Sequence, residues 1–170
     1  LLAHQLSLAL LRKKHKTLKG KIIAGDKHLQ KMLFSNLPFT LTTSQIDAIK
    51  EILEDMHSPY RMLRLLQGDV GSGKTIVALF AMLNAVEAGF QTALMAPTEI
   101  LARQHYKTIA NFTRQIGINI AILTGREKGK AREEILAKLK DGTSKIIIGT
   151  HALFQDDVAF SKLGLAIIDE

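Results

Sequence analysis

A glycine-rich segment, Gly68 to Thr75, combines residue types and a spacing that bind phosphate. It fits the pattern G-x-x-x-x-G-K-[ST] at every fixed position. Glycines let successive backbone N–H groups curve around phosphate oxygens, the Lys74 ammonium can reach the outer phosphates, and the Thr75 hydroxyl can ligate Mg²⁺. We therefore predict a site for a nucleoside triphosphate with Mg²⁺. Its contacting residues would be Gly68, Gly71, Ser72, Gly73, Lys74 and Thr75.

The elements predicted on either side of this loop suit the same chemistry. Met62 to Leu66 is an apolar run that predicts a strand, and Ile76 to Ala88 has the pattern of a helix that ends before Gly89. A helix that starts at the loop directs its positive end toward a bound anion. The alternative, a glycine-rich turn that arose by chance, is the weaker interpretation because both flanking elements are present.

Two acids close the chain after the apolar run Leu165 to Ile168. Such a run is typical of a buried parallel strand that carries polar residues to its C-terminal edge. In a phosphate-loop enzyme Asp169 would hold Mg²⁺ together with Thr75. Glu170 would polarise the attacking water, which makes Lys74 and Glu170 the predicted catalytic residues. Without the phosphate loop, a merely charged chain end would be an equal alternative. From both chain ends we expect a piece of a larger protein.

Composition narrows the class of protein. With 170 residues, of which 46% are hydrophobic, the chain can bury the core of one domain and carry an extension. The absence of Cys excludes disulfides, thiolate metal sites and Cys nucleophiles, and it fits a reducing, cytoplasmic setting. No apolar run approaches the roughly 18 residues of a membrane span, so we expect a soluble protein. The six His residues lack metal-ligand spacing, and we interpret them as ordinary surface or helix residues.

The net charge of +7 is concentrated near the N-terminus. Residues 1 to 31 contain eight Lys or Arg and one acid, Asp26, which gives +7; residues 32 to 170 hold the other 15 bases and 15 acids and are neutral overall. A basic arm of this kind attracts nucleic acid through counterion release. A solvated helix face, or a surface that meets an acidic neighbour, is an equal alternative.

The first part of the chain is predicted to be helical, with a linker. Leu1 to Lys14 has apolar residues at helical spacing, and Lys16 to Lys31 is polar with two glycines. A short helix is predicted near Asp26 to Phe34. The next helix would begin at a capping pair of Ser44 and Asp47 and run to about residue 56.

Strands and helices alternate in the rest of the chain. The pattern predicts an α/β fold, in which a parallel sheet is covered by helices on both faces and binds its ligands at the C-terminal edge of the strands. The predicted helices are Thr75 to Ala88, Glu99 to Gln115 and Lys128 to Lys140. The predicted strands are Met62 to Leu66, Thr92 to Met95, Asn119 to Leu123, Lys145 to Ile148 and Leu165 to Ile168.

Three further strand ends carry polar or glycine-containing clusters on the same edge. Hydroxyls and backbone N–H groups at helix N-termini suit phosphate oxygens, so this rim is fitted to grip a nucleic-acid backbone without reading its bases. Each cluster taken alone favours a capping or turn role instead, since Thr is a good N-cap and Gly a good turn residue. The candidate DNA-binding residues are Pro97, Thr98, Thr124, Gly125, Thr150 and His151.

Several segments together resemble the RecG family of ATP-dependent DNA helicases. The resemblance covers about residues 37 to 170, and residues 1 to 36 are similar to the segment that joins the family's DNA-binding wedge domain to its motor. The segments that carry it are Leu37 to Gln45, Met62 to Thr75, Ala96 to His105, Gly149 to Leu153 and Ile167 to Glu170.

The resemblance implies a RecA-like phosphate-loop fold, with residues 1 to 36 as a basic helical extension and residues 37 to 170 as the first ATP-binding motor domain. It implies ATP and Mg²⁺ as cofactors, and double-stranded DNA with branches, such as stalled forks and Holliday junctions, as the partner in recombination and repair. By similarity of position, Gln45 would read the adenine edge and Phe39 would lie against the ring. The wedge domain and a second motor domain with an arginine finger would lie elsewhere in the polypeptide.

Other functions share some of these features. The transcription-repair coupling translocase has similar stretches at Gly68 to Gly71 and at Gly149 to His151, whereas Ala96 to Glu99 and Ser72 are closer to RecG. A nucleotide-dependent binding module would switch its affinity with ATP occupancy, but it would not need Glu170 as a water-activating acid. A small-molecule kinase would need an acceptor site, and the sequence offers no constellation for one.

Overall fold

The computed structural model describes residues 18 to 169, so the predicted helix Leu1 to Lys14 and the acid Glu170 lie outside the described residues. The helices are α1 (His28–Asn36), α2 (Thr43–Met56), α3 (Lys74–Glu87), α4 (Glu99–Gln115) and α5 (Gly129–Lys140). The strands are β1 (Gln91–Met95), β2 (Ile120–Leu123), β3 (Ile146–Gly149) and β4 (Leu163–Ile168). A short 3₁₀ helix, His151–Phe154, follows β3 and was not predicted.

The four strands form one parallel sheet in the order β2-β3-β1-β4. The two middle strands, β3 and β1, are almost completely buried, as a parallel sheet covered on both faces requires, whereas the outer strands β2 and β4 are largely half-buried or exposed. Ile146 and Ile148 of β3 pack in a core with α3 and α4, whereas Ile147 between them packs in a second cluster with Leu139 of α5. The predicted α/β fold, a parallel sheet with helices on both faces, is therefore confirmed.

The predicted strand Met62 to Leu66 is wrong. These residues form no strand and join no sheet ladder, and β4 pairs only with β1 within residues 18 to 169. The segment is instead held against α2, because Arg64 forms ion pairs of 2.6 Å and 2.7 Å with Glu51 and Asp55 of that helix. An apolar run predicts burial but does not name a hydrogen-bonding partner, and Leu65 is in fact 85% exposed.

The predicted capping pair at the start of α2 is also wrong. The N-cap is Thr42, whose hydroxyl accepts the Gln45 N–H at 3.3 Å while Gln45 Oε1 accepts the Thr42 N–H at 2.9 Å. This is a capping box, in which each side chain satisfies a backbone donor that the helix leaves free. Ser44 and Asp47 offer the same three-residue spacing, but they lie inside the helix.

The described part of the N-terminal extension packs on α3. Asn84, 1% exposed, donates from Nδ2 to the Ile23 carbonyl at 2.9 Å and accepts the Gly25 N–H at 3.0 Å. The Glu87 carboxylate accepts the backbone N–H groups of Lys27 and Leu29 at the start of α1. The stretch that the sequence predicted as a linker is therefore attached to α3 by polar contacts that are partly or fully buried.

No helix within residues 18 to 169 has both the length and the hydropathy that crossing a bilayer requires.

We predict that Asn84→Ala lowers the free energy of unfolding by about 2 kcal/mol, because it leaves a buried carbonyl and a buried N–H without partners. Urea unfolding followed by circular dichroism measures this change. Asn111→Ala is the matched control, since Asn111 is exposed on α4, and it should shift stability by less than about 0.5 kcal/mol. Equal effects of the two variants would contradict the anchoring role of Asn84.

Candidate functional site

The phosphate loop adopts a turn that only glycine enters easily. Gly71 and Gly73 have φ values of 79° and 81°, in the left-handed region. A Cβ on Gly73 would also collide with Gln45 Nε2. Gly73 is the N-cap of α3. Because glycine has no side chain that could accept a hydrogen bond from the helix, the first N–H groups of this 14-residue helix are free to face the loop. This arrangement suits an anion.

The Lys74 ammonium lies inside the loop. Its Nζ donates to the carbonyl oxygens of Gly68 at 2.6 Å and Asp69 at 2.8 Å. Carbonyl oxygens are neutral acceptors, whereas phosphate oxygens carry charge and form stronger hydrogen bonds with an ammonium. Phosphate groups entering the loop can therefore replace these two carbonyls as the partners of Lys74.

Gln45 joins the phosphate loop to the start of α2. Its Nε2 donates to the Ser72 carbonyl at 2.9 Å while its Oε1 accepts from Thr42. A side-chain amide has two N–H groups and an oxygen with two lone pairs, so one donor and one acceptor stay available. These are the groups that an adenine edge needs. Phe39 is 46% exposed nearby and packs edge-on against Phe112, with ring centroids 6.4 Å apart.

Asp169 follows β4 at the same edge of the sheet. Its backbone N–H donates to the Met95 carbonyl at the end of β1, at 2.9 Å. One carboxylate oxygen, Oδ2, lies 2.7 Å from His105 Nε2 on α4. His105 was not among the predicted site residues, because 64 residues separate it from Asp169 and nothing in its local pattern marks a function.

The residues present fit Mg²⁺. Thr75 offers a hydroxyl and Asp169 a carboxylate, and both line the same cavity. Mg²⁺ prefers oxygen ligands and is commonly held by one or two protein groups plus phosphates and waters. Within residues 18 to 169 no group of three or more His, Asp or Glu residues forms a self-sufficient metal cage. A metal here would therefore depend on the nucleotide for much of its coordination.

One cavity contains all of the described nucleotide-site candidates except Ser72. Its volume is about 1800 Å³, larger than the roughly 300 to 1,000 Å³ of an ordinary ligand pocket. The cavity is larger than such a pocket because it also continues between β4 and residues 61–67. The predicted residues that line it are Phe39, Gln45, Gly68, Gly71, Gly73, Lys74, Thr75 and Asp169.

The predicted DNA-binding residues divide into two groups. Pro97, Thr98, Gly125 and His151 are exposed at the C-terminal edge of the sheet. Thr98 is also the N-cap of α4, where its hydroxyl accepts the Leu101 N–H at 3.3 Å. That contact uses the hydroxyl as an acceptor and leaves its hydrogen for a phosphate oxygen.

Thr124 and Thr150, in contrast, are buried. The Thr124 hydroxyl lies 2.7 Å from a carboxylate oxygen of Glu127 and 3.2 Å from one of Glu99. Partial burial of Glu127 opposes its ionisation, but hydrogen bonds from Thr124 and Arg103 outweigh it and lower the pKa of this carboxyl. In this arrangement the Thr124 hydroxyl is engaged by carboxylates of its own loop and of α4, and a direct contact between Thr124 and DNA stays a prediction.

Arg126 is a cation on this rim that the sequence analysis did not single out. Its side chain is 72% exposed, and its Nε lies 2.7 Å from Glu99. An exposed ion pair of this kind contributes little to stability, so the guanidinium can exchange Glu99 for a phosphate at small cost.

Known proteins match this chain over most or all of its length. The DEAD/DEAH box helicase family matches residues 42–170. The chain is 45% identical over 170 residues to the ATP-dependent DNA helicase RecG of Pasteurella multocida, which is all of this chain and 24% of that protein. It is 52% identical over 135 residues to the RecG of Bacillus subtilis, which is 79% of this chain and 20% of that protein.

The fold agrees with these relatives. A solved structure described as RecG bound to a three-way DNA junction superposes with a TM-score of 0.90 at 46% sequence identity, covering 98% of this chain and 23% of that one. The chain thus spans about a quarter or less of the proteins that it matches. The resemblance to RecG helicases is confirmed, and the chain belongs to the DEAD/DEAH box helicase family.

Proposed function

We propose that this chain is the ATP-binding first motor domain of a RecG-type DNA helicase, an enzyme that hydrolyses ATP to move on branched duplex DNA. The observation that carries the proposal is the single cavity lined by Lys74, Thr75, Gln45 and Asp169. In one Mg·ATP molecule, the Lys74 ammonium would contact the phosphates, the Thr75 hydroxyl and the Asp169 carboxylate would contact Mg²⁺, and the Gln45 amide would contact adenine. Residues 1 to 36 would be the extension and residues 37 to 170 the motor domain.

Each residue has a task in hydrolysis. Lys74 compensates charge on the outer phosphates, and the α3 N-terminus donates backbone N–H groups to the same oxygens. Thr75 and Asp169 would hold Mg²⁺, which would supply positive charge to compensate the negative charge of the phosphates. Glu170, next in the chain, would polarise the attacking water. An arginine finger from a second motor domain would complete the stabilisation.

The DNA partner would lie along the exposed rim. Thr98, Gly125 and His151 face solvent where hydroxyl, backbone and imidazole groups can contact phosphates, and contacts of this type position a backbone without reading sequence. A wedge domain elsewhere in the polypeptide would engage the branch point. The similar RecG structure, described as bound to a three-way DNA junction, supports branched DNA as the partner. Acting on chromosomal DNA would place the protein in the cytoplasm of a bacterium.

Lys74→Ala should weaken ATP binding roughly ten- to hundredfold, because it removes the full charge inside the phosphate loop. Isothermal titration calorimetry measures the affinity, and a melting curve checks that the fold persists. Lys107→Ala, at an exposed position of α4, is the control and should bind ATP as the parent does. Unchanged ATP affinity in Lys74→Ala would refute the phosphate-loop assignment.

Gln45→Ala should reduce the preference for ATP over GTP more than it reduces binding of the phosphates. Part of any loss will come from the broken capping box, which is worth about 1 kcal/mol of stability. Thr42→Ala is the matched control, since it breaks the same box from the other side and leaves the amide in place. If both variants keep the same ATP-to-GTP affinity ratio as the parent, Gln45 does not read the base.

If the chain binds DNA, the basic arm, residues 1 to 31, should account for most of the salt dependence of the affinity. Replacing Lys13, Lys14 and Lys16 by Gln should flatten the slope of log affinity against log salt by about 2 to 3, because each phosphate that the arm neutralises adds about 0.9 to the steepness. Fluorescence anisotropy with a labelled three-way junction measures the slope. Substitution is preferable to deletion of the whole arm, because residues 23 to 30 pack on α3.

The matched control removes the same charge from the far side of the domain. Lys138 and Lys140 close α5, and Lys145 directly precedes β3, so all three lie toward the N-terminal edge of the sheet, away from the rim. Replacing them by Gln should leave the slope unchanged. If the arm variant and this control behave alike, the arm is a solvated or domain-packing surface and the rim residues carry the DNA.

A further inference from the structure

The contact between His105 and Asp169 joins two elements that the sequence keeps far apart. His105 lies in the second turn of α4 and its side chain is 16% exposed; Asp169 follows β4 and its side chain is 32% exposed. The distance of 2.7 Å between Nε2 and Oδ2 is that of a short, well-formed hydrogen bond. A carboxylate only accepts, so Nε2 must carry the proton that is shared.

Asp169 is held at two points, its backbone and its side chain. Its backbone N–H is fixed to the Met95 carbonyl at 2.9 Å, which continues the register of β4 on β1. Its side chain is fixed by His105 through one of its two oxygens. The second oxygen, Oδ1, and a lone pair on Oδ2 remain for other ligands. A backbone bond alone would leave the side-chain rotamer of Asp169 undetermined.

We propose that His105 is a positioning residue for Asp169: it donates Nε2–H to Oδ2 and thereby orients the carboxylate for Mg²⁺. The proposal rests on the function proposed above and adds a residue to it. Carboxylates that ligate metals are themselves hydrogen-bonded, and loss of such an outer partner typically lowers metal affinity by roughly 10- to 100-fold. Within residues 18 to 169, the His105 side chain forms its hydrogen bond with Asp169 and none with the phosphate loop or Gln45.

The test separates metal binding from nucleotide binding. ATP affinity is measured by calorimetry with Mg²⁺ and again with EDTA, and the ratio of the two affinities is the gain due to the metal. His105→Leu should reduce this gain about tenfold or more and leave the affinity in EDTA within about twofold of the parent. His105→Gln, whose Nε2 can occupy a place similar to that of the imidazole Nε2, should restore most of the gain.

The control is His57→Leu, the same substitution at an exposed histidine at the end of α2, and it should leave the gain unchanged. An unchanged gain in His105→Leu would overturn the proposal. So would an equal loss with and without Mg²⁺, which would mean that His105 only supports the fold. If the parent chain itself fails to bind ATP, the function proposed above is wrong. That outcome is distinct from both results for His105→Leu, because it is seen without any substitution.

A measurement on the unaltered chain guards against a His105→Leu variant that does not fold. Nitrogen-15 NMR of the imidazole should show a proton on Nε2 of His105, with the downfield proton shift of a hydrogen bond to a carboxylate. A neutral ring that carries its proton on Nδ1 alone would overturn the proposal, because Nε2 would then have nothing to donate.

Discussion

Parallel pairing of β1 with β3 and β4 is the constraint on which the rest of the structure depends. Since all strands run the same way, the residues after each strand meet at one edge. From Thr92 onward both registers are continuous up to that edge: Met95 pairs with Gly149 on one side and with Ile168 on the other. Asp169 and the Thr98 and Thr150 loops therefore lie at one edge, and Asp169 lines the same cavity as the phosphate loop, which precedes it by about a hundred residues.

The phosphate loop is held by groups that a nucleotide would engage. Lys74 bonds to two loop carbonyls, and Gln45 bonds to a third, that of Ser72. The Lys74 ammonium would bond more strongly to charged phosphate oxygens than to these carbonyls, and the donor and acceptor that Gln45 keeps free would meet the base. Binding of triphosphate and adenine would then rearrange contacts that already exist in the loop, and α2 would respond because Gln45 also completes its cap.

Local signals predicted most of the helices and strands. The predicted helix Glu99 to Gln115 agrees in both bounds with α4, whose N-cap is Thr98. Features set by distant partners could not be predicted in this way. The segment Met62 to Leu66 is apolar enough for a strand but is tied to α2 through Arg64. The orientation of Thr124 depends on two carboxylates, one of them from another element, and no pattern within the loop encodes that.

The α4 helix places two parts of the proposed mechanism on one rigid element. Thr98 caps its first turn at the rim, and His105 lies about two turns along it, against Asp169. Ala102 and Ile109, on the buried face, are fully enclosed in the core, so the helix cannot rotate about its axis without disturbing close packing. A phosphate that shifts Thr98 would have to move the helix as a body, and His105 would move with it. The carboxylate proposed to hold Mg²⁺ is thereby mechanically connected to the surface proposed to hold DNA.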